Sequence, residues 1–125
     1  MLTNATKETD DKIYLFAADG KYSEITKPKS IPKQSDNTSK GTYAKHSILA
    51  GNINSILDIV YPIVRNWDSD TSYTKRVMLE TQANNLCDLC ERAYPIDKSM
   101  GNTEGMKEDE LLWAAGLSMI NMARQ

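Results

Sequence analysis

The sequence predicts a mainly α fold: an antiparallel helical bundle of three main helices, preceded by an N-terminal β-hairpin and an extended linker. Three observations carry this. Nearly all the aliphatic bulk lies in residues 46–125 and recurs there at helical spacing, residues 12–26 alternate with period two around an Asp-Gly step, and residues 27–42 are polar and contain two prolines. Charge divides at the same place. Residues 1–45 carry eight lysines and six acids, a net +2, whereas residues 46–125 carry seven basic and eleven acidic residues, a net −4. The organisation is therefore a hairpin and basic linker, 1–45, attached to a helical bundle domain, 46–125.

In the hairpin, Ile13, Leu15 and Ala17 alternate with Tyr14, Phe16 and Ala18, and Tyr22, Glu24 and Thr26 alternate with Ser23 and Ile25. Asp19-Gly20 supplies a turn that tolerates positive φ. A two-stranded hairpin is marginal alone in water, so it is expected to dock on the helical body or on a partner. Residues 27–42, with Pro28, Pro32 and Gly41, read as an extended linker.

In the first helix, Leu49, Ile53, Ile56, Leu57, Val60 and Val64 share one face. Pro62 predicts a kink or an end within a turn, because proline has no amide donor and crowds the preceding turn. Residues 66–72 offer side-chain oxygens to cap the next helix. That second helix carries Leu79, Ala83, Leu86, Cys90 and Ala93 on one face, widened by Val77, Met78, Cys87, Leu89 and Tyr94, and Pro95 is expected to stop it. Residues 96–106 read as a connector. The last helix, Lys107–Arg124, opens with Glu108, Asp109 and Glu110, whose charge suits a helix N-terminus. Its apolar residues form two rows, Leu111/Ala115/Met119/Met122 and Trp113/Leu117/Ile120. A helix apolar over that much of its circumference is expected at the centre of a bundle or between subunits, with Trp113, Leu117 and Ile120 as the interaction surface.

Composition bounds the function. At 125 residues, with a formal charge of −2 and 40% hydrophobic residues, the chain is one small domain that needs no disulfide or metal staple. No stretch approaches the roughly 18 consecutive apolar residues of a membrane span, and the first residues carry acids where a secretory signal carries a basic start and an apolar run. The expected location is the cytoplasm, or a virion assembled there, with no membrane partner.

Candidate chemistry is sparse. Cys87-Asp88-Leu89-Cys90 is the only cysteine pair, and His46 the only histidine. A tetrahedral zinc site needs more ligands than these, and a redox dithiol belongs at an exposed helix start, so core packing is favoured over metal or redox use. His46, at the start of the first helix, reads as a surface or capping residue. No phosphate-binding glycine loop is present, and Asp68 and Asp70 are not followed by the oxygen pattern of a calcium loop. No enzyme activity, cofactor or metal is expected. The linker lysines Lys27, Lys29, Lys33, Lys40 and Lys45, facing one acid, Asp36, form a basic segment that either tracks a phosphate backbone or is simply solvated. Lys75 and Arg76 make a smaller basic point near Tyr73.

Tyr61-Pro62-Ile63 closes an aliphatic helix with an aromatic-Pro-aliphatic step, Tyr73-Thr74 leads into the basic and aliphatic start Lys75-Arg76-Val77, and Glu91-Arg92-Ala93 comes at the end of that helix. This succession, over residues 53–94, resembles the first helical hairpin of the small four-helix-bundle proteins that include the accessory proteins of diversity-generating retroelements. The resemblance implies a non-catalytic oligomeric bundle that assists a reverse transcriptase and its RNA, with Lys75 and Arg76 at the best-matched positions for nucleic-acid contact. The chain departs from that pattern in Asp68, Ser69 and Asp70, where the family usually has Pro and basic residues, in its 42-residue leader, and in having room for only one further long helix. The leading expectation is a non-catalytic interaction or assembly protein that joins a protein partner or a homo-oligomer, as a component or inhibitor from a phage or mobile element. The alternatives are a nucleic-acid-binding accessory protein and a Cys-x-x-Cys dithiol or metal protein.

Overall fold

The computed structural model describes residues 14–18, 21–26, 28–35, 38–68 and 70–125. It is mainly helical, with three long helices: α1 (Lys40–Arg65), α2 (Tyr73–Ser99) and α3 (Thr103–Arg124). Ahead of them, β1 (Tyr14–Ala18) and β2 (Lys21–Thr26) run antiparallel, Leu15 opposite Ile25 and Ala18 opposite Lys21. The Asp19-Gly20 turn lies outside the described residues.

Each helix starts on a side-chain cap. Ser39 accepts from the Thr42 amide at 3.1 Å, Ser72 from the Lys75 amide at 3.3 Å, and Asn102 from the Gly105 amide at 3.3 Å. α1 ends at Arg65, within a turn of Pro62. It begins at Lys40, however, so the linker is shorter than the polar composition of residues 27–42 suggested.

Pro95 does not stop α2. It lies on the exposed side of the helix, where the carbonyl deprived of its donor is least costly, and α2 continues to Ser99. The stop is Gly101, at φ +68°. Its amide donates to Lys98 O at 3.1 Å and the Asn102 amide to Asp97 O at 2.9 Å, a closing pair that requires the left-handed residue between. Asn102 then caps α3, so the expected connector 96–106 shrinks to a tight turn.

The helices run antiparallel. His46 near the start of α1 meets Asp97 near the end of α2, and Arg76 near the start of α2 reaches Gln125 O, just past α3, at 2.8 Å. α2 packs against both other helices. The core is the α1 row Leu49, Ile53, Ile56, Leu57, Val60 and Val64 with Leu79, Ala83, Leu86, Cys87, Cys90 and Ala93 of α2, all buried. From α3 it takes Leu112, Ala115, Met119, Ile120 and Met122. Leu111, placed by its spacing on a buried row, is 45% exposed, and Val77 and Met78 are exposed too. α3 is thus an outer helix with one buried face. Gly116 lets it close on α2: a Cβ there would meet Cys87 Sγ at 2.6 Å and Ala83 O at 3.3 Å. By length and composition alone α1 is apolar enough to cross a membrane, which consecutive-run counting misses; here its apolar row forms core.

Candidate functional site

The end of the bundle where α1 starts, α2 ends and α3 starts is polar inside. Residues 28–35, a strap without helix or strand, cross it. Asn54 of α1 grips the backbone of Lys29 from both sides, accepting from its amide at 2.8 Å and donating to its carbonyl at 2.9 Å. Ser30 donates from its amide and its hydroxyl to Glu108 Oε1, at 3.1 and 2.9 Å. The side chain of Lys29 is 2% exposed. Its ammonium donates to Asp97 Oδ2 at 2.7 Å and to Gly105 O at 3.3 Å, and stands 2.7 Å from Asp109 Oδ1.

Asp97 gathers further donors. His46 Nε2 lies 2.6 Å from its Oδ1 and Asn102 Nδ2 donates to the same atom at 2.9 Å. Against an ionised carboxylate, Nε2 is the nitrogen that carries the proton. His46 Nδ1 is buried without a hydrogen-bond partner among the described residues, and Asp109, equally buried, is held by the Lys29 ammonium and the neighbouring Asp97. Gly105 makes room for the cluster, since a Cβ there would lie 2.7 Å from Asp97 Cγ.

Two buried carboxylates thus share one ammonium. Burial works to raise Asp97, but Asp109, Lys29 and His46 outweigh it and hold Asp97 below the ordinary carboxylate value. Burial, and then the neighbouring Asp97, push Asp109 up to about 8, against the pull of Lys29. Burial would lower Lys29, but the hydrogen bonds and charges of Asp109 and Asp97 leave it raised.

Asp109 also lines a cavity of about 320 Å³ between α2 and α3, whose other walls are Glu91 and Tyr94 of α2 and Glu110 and Trp113 of α3. On the same helix row, Trp113 and Leu117 are 38% and 41% exposed, while Ile120, grouped with them by spacing, is buried. A second hollow, of about 610 Å³, lies between α1 and α2 and is bordered by Ile48, Pro95, Ile96 and the charges of Lys45, Glu91 and Arg92.

Several candidates sit elsewhere than their sequence context suggested. Lys29, expected on a solvated basic linker, is inside the bundle, and its charge is committed to Asp97 and Asp109. His46, expected at the surface, is wholly buried because α1 begins two turns earlier and turns this residue inward. Lys27 lies outside the described residues; Lys33, Lys40 and Lys75 are exposed. Arg76 is half-buried, its guanidinium 4.9 Å from the Trp67 ring and bonded to Thr71 O and Gln125 O. Lys40 and Lys75 stand at opposite ends of the bundle, separated by nearly the length of α1, on the order of 35 Å. Among the described residues, these basic side chains do not converge on one patch.

Cys87 and Cys90 are free and buried. Burial, then Glu91, pushes the Cys87 thiol up to about 11, and burial, then Asp109, pushes Cys90 up to about 12. Thiols that hold their protons are poor nucleophiles and poor metal ligands. Among the described residues no group of three His, Cys, Asp or Glu is placed to hold a metal ion.

The buried cluster has a sequence signal. Asp97 continues the apolar row Leu79, Ala83, Leu86, Cys90, Ala93 by one more step, and Asp109 falls on the row Gly105, Leu112, Gly116, Met119. An acid on an apolar stripe is the mark of a paired buried charge. No protein-family model, curated protein or solved structure matches the chain.

Proposed function

We propose that this chain is a non-catalytic interaction module that assembles with another protein through the α2–α3 face around Trp113 and Leu117. The observation that carries the reading is that these two large side chains stay exposed on one row of a helix whose other face is core, beside a cavity walled by Tyr94. Tryptophan in such a position is the residue type that most often anchors an interface. Supporting the non-catalytic reading, the His46–Asp97 pair is sealed from solvent and the two thiols are held protonated. In this proposal the hairpin belongs to the module, its β1 backbone lying against α1 and α3 and closing the side that α2 leaves open.

The test is a paired capture. Wild-type chain and a Trp113→Ala/Leu117→Ser variant are used as bait in extract of the native host, after thermal unfolding has shown equal stability. The partner is expected to be lost with the variant. Undiminished capture of the same partner by the variant would sink the reading. Light scattering on both proteins identifies the case in which the partner is a second copy.

A further inference from the structure

We propose that the partner at this face is a second copy of the chain, its α3 laid antiparallel on α3 about a two-fold axis at Leu117. The inference rests on the interaction reading and names the partner. Along the outside of α3, Lys107, Glu110, Ala114, Leu117, Asn121 and Arg124 recur at alternating steps of three and four, which keeps them in one seam for most of the helix. None of the six is buried. Trp113 flanks the seam one turn before Leu117, on the side toward α2.

The order of residues along the seam decides the occupant. Glu110 and Arg124 stand seven residues to either side of Leu117, about 10 Å along the axis each way. An identical helix running the opposite way, Leu117 on the partner's Leu117, brings Glu110 to the partner's Arg124 and Arg124 to the partner's Glu110. One charge pattern thus supplies both halves of two ion pairs, and a second copy repeats it by identity. A parallel copy would set Glu110 against the partner's Glu110, and an antiparallel copy shifted by three residues would set Lys107 against the partner's Arg124. Antiparallel packing also opposes the two helix dipoles. Between the ion pairs, Ala114 comes to the partner's Asn121, so a small residue makes room for a larger one on each side of the axis. Trp113 and Leu117, 38% and 41% exposed, give the contact its apolar centre from both chains. Arg124 bonds Glu80 of α2 through Nε, and its side chain is exposed. A guanidinium carries five donors, so that bond leaves others for a carboxylate across the axis.

The test is sedimentation equilibrium of the full chain up to about 1 mM, wild type beside Leu117→Ser, Glu110→Arg and Arg124→Glu. All three positions are exposed, and a thermal unfolding curve for each variant checks that it folds. The wild type is expected to dimerise with a dissociation constant on the order of 10 μM. Leu117→Ser should weaken the dimer at least about tenfold. Glu110→Arg alone and Arg124→Glu alone each place two like-charge pairs in the dimer and should weaken it about tenfold. An equimolar mixture of those two variants sets Arg against Glu at both contacts and should return the wild-type affinity. A wild type that stays monomeric at about 1 mM overturns the second copy, while the interaction face itself stands or falls on the paired capture. A dimer indifferent to Leu117→Ser overturns α3 as its seat. Single charge variants that dimerise as tightly as the wild type, or a mixture no tighter than either alone, overturn the antiparallel register.

Discussion

Lys29 shows how much one side chain can organise. Its ammonium joins the strap to α2 and α3, and its backbone is held by Asn54 of α1, so four segments meet on one residue. Replacing it by Met removes the ammonium that pairs with the buried, ionised Asp97. The expected cost is about 3–5 kcal/mol in urea unfolding at neutral pH, since breaking a buried pair leaves an uncompensated charge. Adding Asp97→Asn to Lys29→Met should recover part of that loss, whereas strictly additive effects would show that Asp97 and Lys29 do not interact. Gly105 is the cluster's steric counterpart. Gly105→Ala drives a methyl into the Asp97 carboxylate and the Asn102 amide, and should destabilise by about 1–3 kcal/mol despite the better helix propensity of alanine. Neither Lys29 nor Gly105 was legible as a site residue in the sequence. A lysine among lysines in a polar stretch reads as solvated, and what buries it is a bundle end assembled from residues 46, 97 and 109.

Among the elements, the helices were legible where periodicity governs and misjudged where a single residue was asked to end them. The α1 core row falls where its spacing puts it, every member buried, because six aliphatic residues leave one consistent face. In α3 the two apolar rows were too close to separate from spacing alone, and the core took Leu112 and left Leu111 in solvent. Pro95 predicts a stop because it removes a donor, yet on an exposed face that loss is tolerated and packing carries the helix a further turn. Pro95→Ala should therefore stabilise the protein, by about 1–3 kcal/mol, with the helix end unchanged. The actual stop depends on Gly101 at positive φ. Gly101→Ala should cost about 1 kcal/mol, and hydrogen exchange should quicken at the Gly101 and Asn102 amides that close the turn. If Gly101→Ala is neutral while Pro95→Ala destabilises, the assignment of the stop is reversed.

At the scale of the whole molecule, the bundle is an apolar core along most of its length and a charged clasp at one end, and the clasp makes stability depend on pH in an unusual direction. Asp97 is lowered from 3.8, so it contributes stability that is present above that value and lost as pH falls through its folded value. Lys29 is raised from 10.5, so its contribution is present below that value and lost as pH climbs through its folded value. Asp109 acts in between. Raised from 3.8 to about 8, it keeps a proton in the folded state that the unfolded chain has released, so folding loses stability as pH rises from 3.8 to about 8. The decline in that window can reach about 1.4 kcal/mol per pH unit for one group. The protein should therefore be most stable in mildly acidic solution and weaken toward pH 8, where ordinary domains sit on a plateau. Asp109→Asn removes the titrating group and keeps its shape. Urea unfolding across this range should show a flattened profile for the variant, which is more stable than the wild type at the alkaline end and no more stable at the acidic end. Parallel profiles for the two proteins would mean that Asp109 does not hold its proton.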